Sequence, residues 1–317
     1  MKKVLITGVT GMIGKHLAEL LIKEGCDVVG ISRATSSSRY SSEKLSYKHF
    51  AGDIMDVKFL KDVWSKFKPE LIYHLAAQAY NGESWKAEDT TYQLNIKGAR
   101  NVFEVSKEIT PSSRIIPACS SAEYGIVPEK MIPIKEDQTP LHPITPYGVS
   151  KAAMEMMAQQ FHLNYNMDFV LPRLFIHLGP NHPPVTAIQN FARQLAAIKL
   201  KLQTPVIKVG NLKSSRDFVD VRDGVKALWI LAQKGKSGEV YNQCTGKAYS
   251  MKEALDSLIK ISGLNVNIKV DKSLFRPSDE KMLLGDPAKI NRLGWKAEIP
   301  FEKTLTDIYI NWLERLK

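Results

Sequence analysis

The stretch that decides the fold lies at the start of the chain and reads Lys3-Val4-Leu5-Ile6-Thr7-Gly8-Val9-Thr10-Gly11-Met12-Ile13-Gly14. Residues 3–7 carry three consecutive aliphatic side chains and predict a short buried strand. A helix is expected over residues 15–24, directly after the glycines. Strand, glycine-rich turn and helix in this order predict the first unit of an α/β fold.

The glycine spacing of this turn is typical of phosphate binding. Gly8 permits the tight turn, Gly11 lets the backbone approach a pyrophosphate, and Gly14 lets the helix pack closely on the strand. The free N–H groups at the helix start, those of Met12 and Ile13 included, are then expected to bind the phosphates. The alternative is a glycine turn in an α/β protein that binds no dinucleotide.

The pattern of strand and helix continues along the first half of the chain. Further strands are predicted at 27–31, 50–54, 69–75, 115–119 and 168–173, with helices between them at about 57 onward, 94–108 and 149–164. This alternation predicts a Rossmann-type doubly wound parallel sheet. After a loop at 179–184 the pattern becomes irregular, which predicts a smaller, discontinuous C-terminal α/β substrate domain. We predict residues 1–175 plus about 213–235 as the nucleotide-binding domain, and 176–212 and 236–317 as the substrate domain.

The end of the second strand, Ser32-Arg33, bears on the choice of cofactor. An acidic residue here would bind the adenosine ribose of NAD, whereas an arginine suits a 2′-phosphate. No Asp or Glu occurs between residues 28 and 42. NADP(H) is therefore the preferred cofactor and NAD(H) the alternative, and Arg33 as a plain loop cation stays open.

Other residues at the ends of predicted strands are expected to line the same cofactor site. Asp53, followed by Ile54, either binds the adenine amino group or caps the next helix. The small residues of Leu75-Ala76-Ala77 let the backbone approach a flat ligand. Asn95 braces the active-site backbone, holds a water there or caps a helix. Leu174 is also expected to bind the cofactor.

Length and composition exclude several classes of protein. A chain of 317 residues with 44% hydrophobic residues can bury a sizeable core, and no apolar run approaches the length of a membrane span. The formal charge of +11 is scattered, without a nucleic-acid motif, so no nucleic-acid or membrane partner is expected. The three cysteines fit a cytoplasmic protein, and no metal site is predicted.

The chemistry is expected from Tyr147 and Lys151 in the segment Pro146-Tyr147-Gly148-Val149-Ser150-Lys151. A spacing of four places both side chains on one helix face, where the ammonium is expected to lower the pKa of the phenol. Ser120 ends the preceding strand and can meet the pair at the carboxyl edge of the sheet. The alternative is a chance pair on a solvated helix edge.

Taken together, these motifs resemble the extended short-chain dehydrogenase/reductase family over essentially the whole chain. The resemblance implies a catalytic triad in which Tyr147 exchanges a proton with the substrate oxygen, Lys151 binds the nicotinamide ribose and Ser120 orients the carbonyl. It also implies a homodimer formed through a four-helix bundle by the helices that carry Tyr147 and Asn95.

The second half resembles the reductases of GDP-4-keto-6-deoxy-mannose, through Ser215-Arg216-Asp217-Phe218-Val219-Asp220 and Arg276-Pro277-Ser278-Asp279. Related GDP-mannose 4,6-dehydratases place a catalytic Glu where this chain has Ala122, and both groups usually carry an Asn where it has Ile176. The resemblance implies that Arg216 and Arg276 bind the phosphates of the nucleotide. The alternative is that they form ordinary salt bridges. The expected substrate-binding residues are Ser121, Ala122, His177, Arg193, Arg216, Arg276 and Asp279.

The resulting prediction is NADPH-dependent reduction of the 4-keto group of a GDP-linked 6-deoxyhexose, giving GDP-D-rhamnose. The nucleotide base and the C4 stereochemistry, rhamnose or talose, stay open. A nucleotide-sugar dehydratase or 4-epimerase is the enzymatic alternative. A non-catalytic NAD(P)-binding regulator is the alternative from another class, although such proteins tend to lose the tyrosine and lysine.

Overall fold

The computed structural model describes residues 1–33, 47–275 and 281–317. In these ranges the strands are β1 Lys3–Thr7, β2 Asp27–Ser32, β3 Lys48–Ala51, β4 Leu71–His74, β5 Arg114–Pro117, β6 Cys119–Ser120, β7 Asp168–Phe169, β8 Leu171–Leu174, β9 Ile176–Leu178, β10 Val206–Val209, β11 Ser215–Asp220, β12 Val240–Gln243, β13 Ala248–Ser250, β14 Asn267–Val270 and β15 Met282–Leu283.

The α-helices of the described residues are α1 Met12–Lys23, α2 Val57–Phe67, α3 Asn81–Ser84, α4 Glu88–Tyr92, α5 Ala99–Ile109, α6 Pro146–Tyr165, α7 Ala187–Lys199, α8 Val221–Lys234, α9 Met251–Ser262, α10 Ala288–Asn291 and α11 Phe301–Leu316. A π-helix, Gln93–Gly98, joins α4 to α5, and a 3₁₀ turn, Ser121–Glu123, follows β6. None of these helices has both the length and the apolar character to cross a membrane.

The large sheet is parallel and has the strand order β3-β2-β1-β4-β5-β7. Strands β6 and β8 continue β5 and β7 after a one-residue break, and β12 pairs in parallel with β8. Val4, Leu5 and Ile6 of β1 are fully buried, because helices cover both faces of the sheet. One core lies under α1 and α8, and the other under α2, α5 and α6. The predicted doubly wound α/β fold is confirmed.

A smaller set of strands and helices follows β8 along the chain. Strand β11 pairs with β9, β13 and β15, and β10 pairs with β14. Helices α7, α9 and α11 share a third apolar core that is separate from the cores of the large sheet. The order of the chain through these elements is discontinuous, because β12 returns to the large sheet after α8.

Helix α1 begins three residues before the predicted start, at Met12, directly after Gly11. The residues between Gly11 and Lys15 are therefore the first helical turn, and their N–H groups have no partner within the helix. The predicted helix over 94–108 is also longer, since α4, the π-helix and α5 run without interruption from Glu88 to Ile109.

Candidate active site

Tyr147 and Lys151 lie in the first two turns of α6. The Thr145 hydroxyl caps this helix by accepting a hydrogen bond of 3.0 Å from the Gly148 N–H, and Pro146 occupies the first helical position. The cap fixes where the helix begins and therefore where Tyr147 points. Thr145-Pro146 is a helix-start signal that the sequence contains and that our prediction of a start near residue 149 missed.

Ser120 meets Tyr147 from the adjoining 3₁₀ turn. Its hydroxyl accepts a 3.2 Å hydrogen bond from the Ala122 N–H, and it lies close enough to the Tyr147 side chain to lower the pKa of the phenol. Helix α6 and this turn approach so closely that a Cβ on Gly148 would lie 2.5 Å from the Ala122 carbonyl oxygen. Gly148, which sequence reasoning passed over, is therefore what allows the two elements to bring Ser120 and Tyr147 into contact.

The expected lowering of the tyrosine pKa is wrong. Burial is the largest of the effects that raise the pKa of Tyr147 to about 12, and the interaction with Ser120 opposes this shift. The Lys151 Nζ lies 5.9 Å from the centre of the Tyr147 ring, too far to offset the burial. Tyr147 is consequently a neutral phenol at neutral pH, which is the form that a proton donor requires.

Lys151 is held away from the phenol by the backbone. Its ammonium donates a 2.7 Å hydrogen bond to the Ala118 carbonyl, and the residue is only 3% exposed. Burial lowers the pKa of Lys151, and the nearby Cys119 and Glu123 oppose that shift. The arrangement leaves two further N–H donors on the ammonium for a ligand beside Tyr147.

The glycine turn forms a cradle between β1, α1 and the end of β4. Gly8 has φ +75°, and a Cβ there would lie 2.7 Å from the Ala76 nitrogen; a Cβ on Gly14 would lie 2.4 Å from the Gly8 oxygen. No side chain caps α1 and no acidic residue lies in its first turn. The N-terminus of α1 therefore fits a pyrophosphate, as predicted from the spacing of Gly8, Gly11 and Gly14.

The carboxyl end of β2 lies beside this cradle, where the adenosine was expected. The Ser32 hydroxyl is hydrogen bonded to His49 Nε2 at 2.8 Å, and Arg33 is exposed. Asp53 accepts a 2.9 Å hydrogen bond from the Met55 N–H and does not cap α2. The cap is Asp56, which accepts from Phe59 at 3.0 Å, so the capping role considered for Asp53 is wrong.

The middle of the cradle is built on hydrogen bonds between β1 and the segment after β4. The Leu75 N–H donates to the Thr7 carbonyl at 3.1 Å, and the Ala76 N–H donates to the Thr7 hydroxyl at 3.3 Å. Asn95 is 1% exposed; it accepts from the Gln78 N–H at 2.8 Å and donates to Ser150 at 2.9 Å. Of the roles considered for Asn95, the described contacts are those of a brace.

The remaining predicted cofactor residues lie around this frame. Ile54 is buried in the core beneath α5, Ala77 follows Ala76 along the cradle, and Leu174 lies opposite Ser120 in the register of β6 and β8. None of the three side chains is charged, so their expected role at the site is packing.

A cavity of about 280 Å³ opens between β9, β11 and α7. Arg216, which is 8% exposed, lines it, together with polar side chains that sequence reasoning did not single out, such as Asn190 and Asn211. Arg193 is joined to this wall through a 3.2 Å hydrogen bond to Asn190. Arg276 and Asp279, predicted as further ligands, lie outside the described residues.

His177 differs from its predicted role. Side chains alternate along β9, so Ile176 and Leu178 line the cavity while His177 is absent from its lining and packs against α8 at Gly224. Its Nδ1 is hydrogen bonded to the Phe175 carbonyl at 2.8 Å, and burial lowers the pKa of His177 to about 4. The histidine therefore supports the strand that carries the cavity wall.

Two residues after Ser120, the 3₁₀ turn carries Ala122, whose side chain is a methyl group. Ala122 is half-buried there and Ser121 beside it is buried. Glu123 turns the other way: it is fully buried, and its carboxyl accepts a 2.6 Å hydrogen bond from the Ser120 N–H. Around the contact between Ser120 and Tyr147, this turn therefore supplies no second acid or base.

Comparison with known proteins agrees with this geometry. A family model described as GDP-mannose 4,6 dehydratase matches residues 5–308. GDP-6-deoxy-D-mannose reductase from Pseudomonas aeruginosa is 30% identical, covering 100% of this chain and 99% of that protein. GDP-mannose 4,6 dehydratase 1 from Arabidopsis thaliana is 31% identical, covering 95% of this chain and 87% of that protein.

Two solved structures show the same fold over the full length. RMD from Pseudomonas aeruginosa in complex with NADPH has a TM-score of 0.88 and 29% identity, covering 99% of this chain and 100% of that chain. UDP-glucose 4-epimerase from Thermotoga maritima with UDP-glucose has a TM-score of 0.89 and 25% identity, with the same coverage. This chain therefore belongs to the GDP-mannose 4,6-dehydratase family, within the extended short-chain dehydrogenases/reductases.

Proposed function

We propose that the chain is an NADPH-dependent reductase of the 4-keto group of a GDP-linked 6-deoxyhexose, converting GDP-4-keto-6-deoxy-D-mannose to GDP-D-rhamnose. The observation that carries the proposal is the contact of Ser120 with a protonated Tyr147, next to a turn that offers only the methyl group of Ala122. Reduction of a ketone needs one proton donor, whereas elimination of water needs an additional acid or base.

In this mechanism NADPH supplies the hydride to the sugar C4. Tyr147 donates its phenolic proton to the oxygen that becomes the hydroxyl, since an alkoxide is a stronger base than a phenolate. Ser120 orients the carbonyl through its hydroxyl. Lys151 holds its positive charge on the same helix face as the phenolate that is left, and its two remaining N–H donors bind the nicotinamide ribose.

The fit of the cofactor rests on this chain's own residues. Gly8 and Gly14 leave space that a Cβ would fill, and the N-terminus of α1 carries unpaired N–H groups for the pyrophosphate. The exposed Arg33 suits a 2′-phosphate, and the similar structure of RMD holds NADPH. NAD(H) is the alternative cofactor, since the similar structure of UDP-glucose 4-epimerase from Bifidobacterium longum holds NAD+.

The substrate is proposed to lie with its nucleotide diphosphate in the cavity of about 280 Å³ lined by Arg216. A guanidinium binds phosphate oxygens bidentately, and the side-chain amides of Asn190 and Asn211 can bind a base or ribose. GDP is favoured as the nucleotide because the curated relatives are named for GDP-sugars.

The test is a reaction of purified protein with GDP-4-keto-6-deoxy-D-mannose and NADPH. One NADPH should be oxidised for each sugar reduced, and Tyr147→Phe should lower kcat by about 100-fold or more, while its affinity for NADPH stays close to that of the wild type. Retained turnover by that variant contradicts the mechanism. Conversion of GDP-mannose without added reductant would instead favour the dehydratase, and NADPH binding without turnover of any keto-sugar would favour the regulator.

We further propose a homodimer formed through a four-helix bundle. Val149, Met156 and Leu163 are 40%, 58% and 78% exposed on α6 at a spacing of seven residues, which places them along one face of that helix. An exposed apolar stripe of this kind is typical of an interface between helices. Sedimentation of a monomer at micromolar concentration would contradict the dimer.

The division into domains also stays a proposal, with two refinements. Residues 1–175 and about 213–235 form the cofactor domain, and 176–212 with 236–317 form the substrate domain. Within these bounds β11 pairs with strands of the second domain, and β12 joins the sheet of the first. A cytoplasmic location is proposed from the three cysteines, which are all free and buried.

A further inference from the structure

A pair of buried carboxyl groups lies behind Ser120, and the proposed chemistry does not use it. Glu123 ends the 3₁₀ turn with 0% exposure, and Glu155 lies on α6 with 1% exposure. Arg173 on β8 is bidentate to Glu155, with a distance of 2.8 Å from Nε to Oε2, while its Nε lies 3.7 Å from Glu123 Oε2. The primary partner of the guanidinium is therefore Glu155.

The charges of this cluster do not balance if both carboxyl groups are ionised. One guanidinium would face two buried carboxylates. Lys151, the other cation beside Glu123, donates to the Ala118 carbonyl and forms no ion pair with either carboxyl group among the described residues. An uncompensated buried charge costs several kcal/mol. Burial and the neighbouring Glu155 raise the pKa of Glu123 well above its usual range. Donor atoms of Cys119, Glu123 and Glu155 lie within 4.8 Å of one another, but Arg173 already supplies the positive charge that a metal ion would bring.

The hydrogen bonds point to the same protonation state. Glu123 Oε1 accepts from the Ser120 N–H at 2.6 Å, whereas Oε2 is buried and has no hydrogen-bond partner among the described residues. A carboxylate oxygen can only accept, so Oε2 of an ionised Glu123 would be left unsatisfied. A hydrogen bond with the Glu155 side chain contributes to the raised pKa of Glu123, so Oε2 as a hydroxyl has an acceptor in Glu155.

We propose that Glu123 is a neutral positioning residue for the reduction: its carbonyl oxygen holds the backbone of Ser120, and its proton is donated to Glu155. The Ser120 hydroxyl is thereby fixed against Tyr147, with no second negative charge beneath the reacting oxygen. The inference rests on the proposed function, because the place of Ser120 matters for turnover only if Tyr147 is the proton donor. The titratable or charged groups that face Glu123 are Cys119 of β6, Arg173 of β8, and Tyr147, Lys151 and Glu155 of α6.

Two substitutions separate this role from plain packing. Glu123→Gln keeps an acceptor for the Ser120 N–H and a donor for Glu155, so kcat should stay within about threefold of the wild type. Glu123→Met fills similar space without either group, so kcat should fall by about tenfold or more while the Kd of NADPH is unchanged. Glu129→Gln, an exposed carboxyl on the same connection, is the matched control and should change neither quantity.

The protonation state is measured separately, by infrared difference spectra at pH 7 of wild type minus Glu123→Gln. A protonated carboxylic-acid band that is lost in the variant, and kept in Glu129→Gln, supports the proposal. Loss of carboxylate bands instead overturns it, as does wild-type kcat in Glu123→Met. If Glu123→Met does not fold, a tenfold loss of kcat in Glu123→Gln overturns it too. Absence of any keto-sugar reduction by the wild type would refute the proposed function. The infrared spectra would still decide whether Glu123 is protonated.

Discussion

Lowering the pH from 7 to 5 is expected to destabilise the fold through His74, at the end of β4. The imidazole is 1% exposed, its Nδ1 is hydrogen bonded to the Thr7 hydroxyl at 2.8 Å, and its Nε2 has no partner among the described residues. Burial, with the charge of Lys151, lowers the pKa of His74 to about 3. The folded chain therefore keeps this histidine neutral at any pH at which an enzyme is assayed.

The sign follows from the two protonation states. In the unfolded chain the histidine has its ordinary pKa of about 6.5, so below that pH the unfolded state binds a proton that the folded state refuses. The free energy of unfolding therefore reaches its full value above about pH 6.5 and decreases progressively as the pH falls toward 3. At pH 5, 1.5 units below the unfolded pKa, the loss is about 2 kcal/mol.

The assay is urea unfolding of the wild type and of His74→Asn at pH 7 and pH 5. An asparagine amide can replace Nδ1 opposite Thr7 but does not titrate, so the variant should lose about 2 kcal/mol less than the wild type between the two pH values. Other buried groups are unchanged and cancel in this difference. His142→Asn, at an exposed position, is the control and should behave as the wild type. Equal losses in the wild type and His74→Asn would refute the reasoning.

Three further predictions test the two ligand sites. Arg33→Asp should weaken the preference for NADPH over NADH by about tenfold or more, because the ribose 2′-phosphate loses its cation and meets a carboxylate; kcat/KM with each cofactor measures this, and an unchanged ratio contradicts it. Gly14→Ala should weaken NADPH binding by tenfold or more, since its Cβ would lie 2.4 Å from the Gly8 oxygen and must open the turn; fluorescence titration measures the Kd, and wild-type affinity would count against the cradle. Arg216→Gln should raise KM for the nucleotide sugar about tenfold with little change in NADPH affinity, and an unaltered KM would remove this arginine from the diphosphate site.

The elements that depend on local pattern were predictable from the sequence. The strand of residues 3–7 and its glycine turn follow from a run of aliphatic side chains and from spacing, and β1 has those bounds. The start of α6 was missed by three residues because the Thr145-Pro146 cap was not considered. Cap chemistry is as local as periodicity, so this error was avoidable.

The properties that depend on burial and on long-range packing were not predictable in the same way. The spacing of Tyr147 and Lys151 says that they share a helix face, but not that the ammonium is drawn to the Ala118 carbonyl. Nor does the spacing indicate that burial is the largest influence on the pKa of the phenol. Likewise, the orientation of His177 depends on the register of β9 against β11, which pairs residues about 40 positions apart.

The neighbouring residues Ala122 and Glu123 connect these two kinds of evidence. The sequence places a methyl group where related dehydratases carry a catalytic acid, and it places a carboxyl group one position later. In the structure one residue of displacement turns the carboxyl from the site into the core, because Glu123 closes the 3₁₀ turn by binding the Ser120 N–H. Under the proposed function, the carboxyl group of Glu123 supports the serine, and Tyr147 beside that serine is the proton donor. The same shift that argues against dehydration therefore favours a rigid site for a single proton transfer.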